Sequence, residues 1–214
     1  MEVDPSLTLA LCQGEGGFTM QDELTLEERK TLLRLARDAM ERGVKGEALP
    51  PLDESSLTNP LRENGASFVT LTVRGQLRGC IGTLEPYQSL AEDVREHAVA
   101  AALEDPRFPA VSEHELSGIQ IEVSRLTRPI PLEYKDAHDL LSKLCPHVDG
   151  VILRDAFQRA TFLPQVWEKI PDPVDFLNNL CYKMGVDPHL WRKKHLDVLI
   201  YHVEEFHESP NIQT

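Results

Sequence analysis

The strongest constraint on what this chain can fold into is a change of period at Ser67. From there to Ile81, Val69, Leu71 and Val73 alternate with Thr70, Thr72 and Arg74. A period of two puts the two sets on opposite faces of a β-strand. Gly75 supplies a turn before Leu77, so the segment predicts a β-hairpin. Ile119, Ile121 and Val123 alternate with Gln120, Glu122 and Ser124 in the same way, ahead of breaks at Pro129 and Pro131. Gly150-Val151-Ile152-Leu153, Ala160-Thr161-Phe162-Leu163 and Val198-Leu199-Ile200-Tyr201 predict further strands.

Between these runs the period lengthens. Thr25-Leu26-Glu27-Glu28 is a capping box, in which hydroxyl and carboxylate each satisfy an orphan backbone N–H, and Leu33, Ala36 and Met40 follow at helical spacing to about Gly43. Ser89-Leu90-Ala91-Glu92 is a second capping box and opens a helix with Leu90, Val94, Ala98 and Ala101 on one stripe until Asp105-Pro106. Asp136 to Leu144 predicts a short helix, and Phe176, Leu177, Leu180, Cys181 and Met184 mark another ending at Gly185. The Pro50 to Pro60 segment has the composition of an extended loop. Strands in hairpins as well as between helices favour an α+β fold, an antiparallel or mixed sheet with packed helices, over a doubly wound one.

Residues 1–20 mix Pro, Gly and small polar residues and are expected to form an N-terminal extension to a domain of residues 21–207, with 208–214 as a tail. Gly14-Glu15-Gly16-Gly17 lacks the Lys-Ser/Thr and the flanking strand of a phosphate loop. The 22 Lys+Arg against 35 Asp+Glu leave a formal charge of -13, which disfavours nucleic acid and anionic membranes as partners. The densest basic run, Trp191-Arg192-Lys193-Lys194-His195, reads as a solvated helix end. Met1-Glu2-Val3-Asp4 has no basic leader and Leu7 to Cys12 is short for a signal core, so a cytoplasmic location is expected. Cys12, Cys80, Cys145 and Cys181 show no Cys-x-x-Cys spacing and are expected to be free thiols.

The chemistry-bearing segment is the second strand of the first hairpin. If residues 77–81 are extended, Leu77, Gly79 and Ile81 face one way, and Arg78 and Cys80 the other. A guanidinium beside a thiol favours the thiolate, and Gly79 and Gly82 remove side chains that would block a ligand. That pattern suits a nucleophile or a backbone-lined notch; it equally suits a bulge or tight turn with a small buried cysteine. His97, on the following helix, is a base that could approach Cys80, or a partly exposed helix histidine. His195, His202 and His207 match no common metal-ligand spacing.

Leu77-Arg78-Gly79-Cys80-Ile81-Gly82, followed by Asp105-Pro106-Arg107-Phe108-Pro109, Ile121-Glu122-Val123-Ser124 and Thr161-Phe162-Leu163-Pro164-Gln165-Val166-Trp167, resembles the AMMECR domain family over nearly the whole chain. The resemblance implies an α+β fold of two intertwined subdomains with the six-residue motif at a cleft between them. It implies a partnership more than a reaction: similar proteins belong to the AmmeMemoRadiSam set, beside a Memo-like protein and a radical SAM protein. No cofactor follows from it. Carried over by position, the candidate binding residues are Arg78, Gly79, Gly82, Asp105 and Arg107, with Cys80 the candidate catalytic residue. Asp105 and Arg107 form either a structural salt bridge or, with Arg78, an anion site. Phe108 is expected to be a core anchor. Two functions follow: a cytosolic binding module for such partners, or an enzyme with Cys80 as nucleophile on a small or anionic substrate.

Overall fold

The computed structural model describes residues 23–208. The expected N-terminal extension, its glycine cluster and the C-terminal tail from residue 209 lie outside that range. The chain forms two compact units, one of residues 23–127 and 204–208 and the other of residues 128–203.

The first unit opens with α1 (Leu26–Val44), a short α2 (Asn59–Arg62), β1 (Asn64–Val73), β2 (Gln76–Gly82), β3 (Gln88–Ser89), α3 (Leu90–Leu103) and β4 (Ile119–Leu126). The second holds β5 (Ile130–Pro131), α4 (Ala137–Lys143), β6 (Gly150–Asp155), β7 (Gln158–Phe162), α5 (Pro173–Met184), α6 (Leu190–Lys193) and β8 (Asp197–Tyr201). The chain then returns as β9 (Val203–His207) to the first sheet, whose strand order is β2-β1-β4-β9 with β3 beside β1. The second sheet is ordered β5-β8-β6-β7. β1 runs antiparallel to β2, β3 and β4, and β6 antiparallel to β7 and β8, so the α+β architecture expected from the hairpins is the one observed.

Local chemistry accounts for the helix ends. The Thr25 hydroxyl accepts the N–H of Glu28 at 3.3 Å, and the Glu28 carboxylate accepts the N–H of Thr25 at 2.7 Å, a complete capping box. On α3 only half of the predicted box forms: Ser89 accepts the N–H of Glu92 at 3.3 Å, while the Glu92 carboxylate pairs with Arg95 at 2.8 Å. Gly185, at φ 83°, ends α5 in the left-handed region that glycine enters without strain.

Two cores result. In the first unit Leu32, Ala36 and Met40 of α1 and Val94, Ala98 and Ala101 of α3 pack on Val69, Leu71, Ile121 and Val123. In the second, Trp167 stacks on Phe176 with ring centroids 3.6 Å apart and donates its indole N–H to the Asp149 carbonyl at 2.8 Å. Each fully buried Leu or Phe contributes about 1.5–3 kcal/mol of apolar transfer.

Several expectations are corrected. Residues 59–62 are helical, with Pro60 in the first turn where its missing N–H costs nothing. β9 was not anticipated, because only Phe206 of Val203–His207 is buried. Cys145 is disulfide-bonded, contrary to the expectation of free thiols, whereas Cys80 and Cys181 are free; Cys12 lies outside the described residues. Among the described residues no helix is long and apolar enough to cross a membrane.

Candidate functional site

Among the described residues the motif strand β2 is an edge strand, paired only with β1. Thr70 stands opposite Cys80 and Leu71 opposite Gly79, but Thr72 is opposite Leu77, so Arg78 is an extra residue at a bulge. Strict alternation therefore fails at one position. Leu77 shares the face of Thr72, Thr70 and Cys80, instead of the helix-covered face of Gly79 and Ile81.

The bulge sends Arg78 along the sheet edge to the loop after α3. Its Nε donates to Glu115 at 2.9 Å and its Nη1 to the Pro109 carbonyl at 2.8 Å. Glu115 also accepts the N–H and hydroxyl of Ser112, at 2.9 and 2.6 Å. The Arg78 bonds, then those of Ser112, hold the Glu115 carboxyl down at about 2. Arg78 is thus committed to structure, and the guanidinium beside the thiol belongs to Arg107.

Asp105, buried at the C-terminal end of α3, accepts the backbone N–H of Cys80 at 2.8 Å. It also accepts Nε of Arg107 at 2.9 Å and Nη2 at 2.6 Å. Arg107 Nη2 reaches the Cys80 carbonyl at 3.2 Å. The Arg107 bond first, with help from the N–H groups of Cys80 and Arg107, keeps the Asp105 carboxyl well below the usual carboxylate range. Arg107 is in turn made more basic, chiefly by Asp105 and also by the Cys80 side chain. Phe108 is half-buried, with the Arg107 guanidinium 5.6 Å from its ring centroid, and so is not the core anchor expected.

The two glycines do not open a notch on the side where a Cβ would stand. A Cβ at Gly79 would lie 2.0 Å from the Ala101 carbonyl oxygen, and one at Gly82 would lie 2.4 Å from both the Phe68 ring and the Ser67 carbonyl. Their function in the fold is to let α3 and β1 approach the β2 backbone.

The Cys80 thiol is half-buried and receives the Thr70 hydroxyl at 3.3 Å. His97 is not its partner. That histidine is buried on the opposite side of the sheet, its Nδ1 3.2 Å from Asp93 Oδ2, which also accepts the Ser67 hydroxyl at 2.6 Å. Sequence reasoning missed this Ser67–Asp93–His97 cluster; its one signal was the four-residue spacing of Asp93 and His97 on a helix. The other histidines are dispersed: His195 stacks on Tyr134, and His202 Nε2 lies 3.0 Å from Asp149 Oδ1. Among the described residues no group of three His, Cys, Asp or Glu is placed to hold a metal ion.

The chain is similar to other proteins along most of its length. A protein of Methanothermobacter thermautotrophicus is 39% identical over 194 residues, spanning 87% of this chain and 97% of that one. A protein of Thermofilum pendens is 38% identical over 204 residues, spanning 87% and 92%. The crystal structure of an uncharacterised protein from Pyrococcus horikoshii superimposes with a TM-score of 0.68 at 32% identity, covering 87% of this chain and 94% of that one. The AMMECR1 family model matches residues 33–206, a span holding the bulged motif strand and the Asp105–Arg107 pair that seals its edge, and the chain belongs to the AMMECR1 family.

Proposed function

We propose that this protein is a non-catalytic binding module that docks a partner protein, of the Memo-like or radical SAM kind, on the outer face of the first sheet around Leu77, Thr70 and Cys80. The observation that supports this is that, among the described residues, no imidazole or carboxylate is hydrogen-bonded to the Cys80 sulfur, which receives the Thr70 hydroxyl. Nucleophilic catalysis by a cysteine ordinarily uses such a base to take the thiol proton. His97, the nearest candidate in sequence, is tied to Asp93 beneath the sheet. Leu77 is 44% exposed on the same face as Cys80 and offers an apolar contact that a partner can bury.

The test is binding of the purified protein to Memo-like and radical SAM proteins from the same organism, by biolayer interferometry. Cys80→Ala is expected to bind as wild type does, and Leu77→Asp about tenfold more weakly, equivalent to ~1.4 kcal/mol. If neither partner binds, or if Cys80→Ala and Cys80→Ser both remove function while the fold survives, the enzyme reading takes its place.

A further inference from the structure

We propose that the outer face of the first sheet is a charge-paired site for an extended peptide segment carrying an acidic and a basic side chain four positions apart, held by Arg107 at one end and Glu122 at the other. The inference rests on the partner-binding reading and specifies the chemistry of the partner.

Thr70 is opposite Cys80 on β2 and opposite Glu122 on β4, so Cys80, Thr70 and Glu122 form one row across three strands on the face away from the helices. Arg107 extends the row beyond the β2 edge. Its Nε and Nη2 bond Asp105 and the Cys80 carbonyl, and the Cys80 side chain also meets the guanidinium, but the side chain is 55% exposed and can be reached by an incoming carboxylate.

Glu122 is the unusual member. It is half-buried in the middle of a strand, yet among the described residues its carboxylate makes no hydrogen bond or ion pair. Other half-buried or buried carboxylates of this unit are engaged: Glu28 by Thr25 and Thr58, Glu115 by Arg78, and Glu204 by Arg29 and Arg125. Its neighbours along the same face of β4, Gln120 and Ser124, carry no positive charge. A docked ammonium or guanidinium would give that carboxylate the ion pair it lacks.

The spacing selects the ligand. Strands lie about 4.8 Å apart, which puts Cys80 and Glu122 about 10 Å from each other, and the edge guanidinium adds about 5 Å. An extended chain crossing the strands advances about 3.3 Å per residue and returns side chains to one face every second residue. Two positions cover about 7 Å, four about 13 Å and six about 20 Å, so the four-position spacing fits. The face then offers a cation, a thiol and hydroxyl pair, and an anion in line.

The experiment is a titration of the ¹⁵N-labelled protein, at low salt, with a blocked heptapeptide bearing Asp at its second position and Lys at its sixth. Saturable shifts at the Thr70, Cys80 and Glu122 amides are expected, with about fivefold weaker binding when the Lys is moved to the third position or when Glu122→Gln is used. Glu122→Lys should instead prefer a peptide with Asp at both positions, a gain that misfolding cannot imitate. Equal binding of the spaced and adjacent peptides, shifts elsewhere, or indifference to Glu122→Gln would overturn the inference. Measured in parallel, a partner protein that binds wild type and Glu122→Gln equally removes this site but leaves the partner-binding reading standing. Failure of the wild type to bind either partner removes that reading, and the peptide titration then decides the site alone.

Discussion

Asp105 accepts the backbone N–H of Cys80 at 2.8 Å, so a side-chain carboxylate stands where the carbonyl of a further strand would otherwise pair. Arg107 completes the substitution by donating to the Cys80 carbonyl. An edge strand with free N–H and C=O groups is a template for unwanted pairing, and this side-chain pair closes it at the centre of β2. The loop that carries the pair is also held by Arg78, through Glu115 and the carbonyls of Pro109 and Ala110.

Asp105→Asn should therefore destabilise the first unit by about 1–2 kcal/mol, the cost of weakening hydrogen bonds to a buried charged acceptor. The Arg107 side chain is 55% exposed, so little of that loss comes from the ion pair itself. Urea denaturation at pH 7 measures the change, and a loss below 0.5 kcal/mol would contradict the edge-sealing role, a threshold set at about the lower bound for one hydrogen bond.

Acid should act through the same pairs. Asp105 and Glu115 titrate lower in the folded protein than the unfolded values of about 3.9 and 4.3. Their contribution is present in full above the unfolded values and is lost as the pH falls through that range toward about 2, because the unfolded state then binds more protons. The urea midpoint of wild type should drop between pH 5 and pH 2.5, and by less in Asp105→Asn combined with Glu115→Gln.

Gly79→Ala places a methyl 2.0 Å from the Ala101 carbonyl oxygen, a contact that only movement of α3 relieves. A loss of about 2–3 kcal/mol is expected from such overpacking. Gly75→Ala is the control: its Cβ meets nothing within 4 Å, and its φ of 76° costs about 1 kcal/mol. Similar losses at the two positions would mean that Gly79 serves backbone conformation and not helix approach.

His97→Ala leaves Asp93 buried with the Ser67 hydroxyl as its remaining partner, at a cost of about 3 kcal/mol. The alkylation rate of Cys80 in the folded variant should match wild type, since the imidazole lies on the other side of the sheet. A fall in that rate would return His97 to the role of base.

Much of the fold was legible in the sequence because it is local. Period two over Val69, Leu71 and Val73, the capping box at Thr25 and the stop at Gly185 each follow from a few neighbouring residues, and each appears in the structure. The candidate site was legible as a set of residues but not as an arrangement. Alternation placed Arg78 beside Cys80, whereas a one-residue bulge, set by pairing with β1, sends it to Glu115 and leaves Arg107 at the thiol. The glycines looked open because nothing near them in sequence fills the space; Ala101, Phe68 and Ser67 fill it from other elements. The sequence alone determined the periodicities, the caps and the family motif. Only the tertiary structure decided the register and the pairing of charges, because each depends on which distant segments share one face.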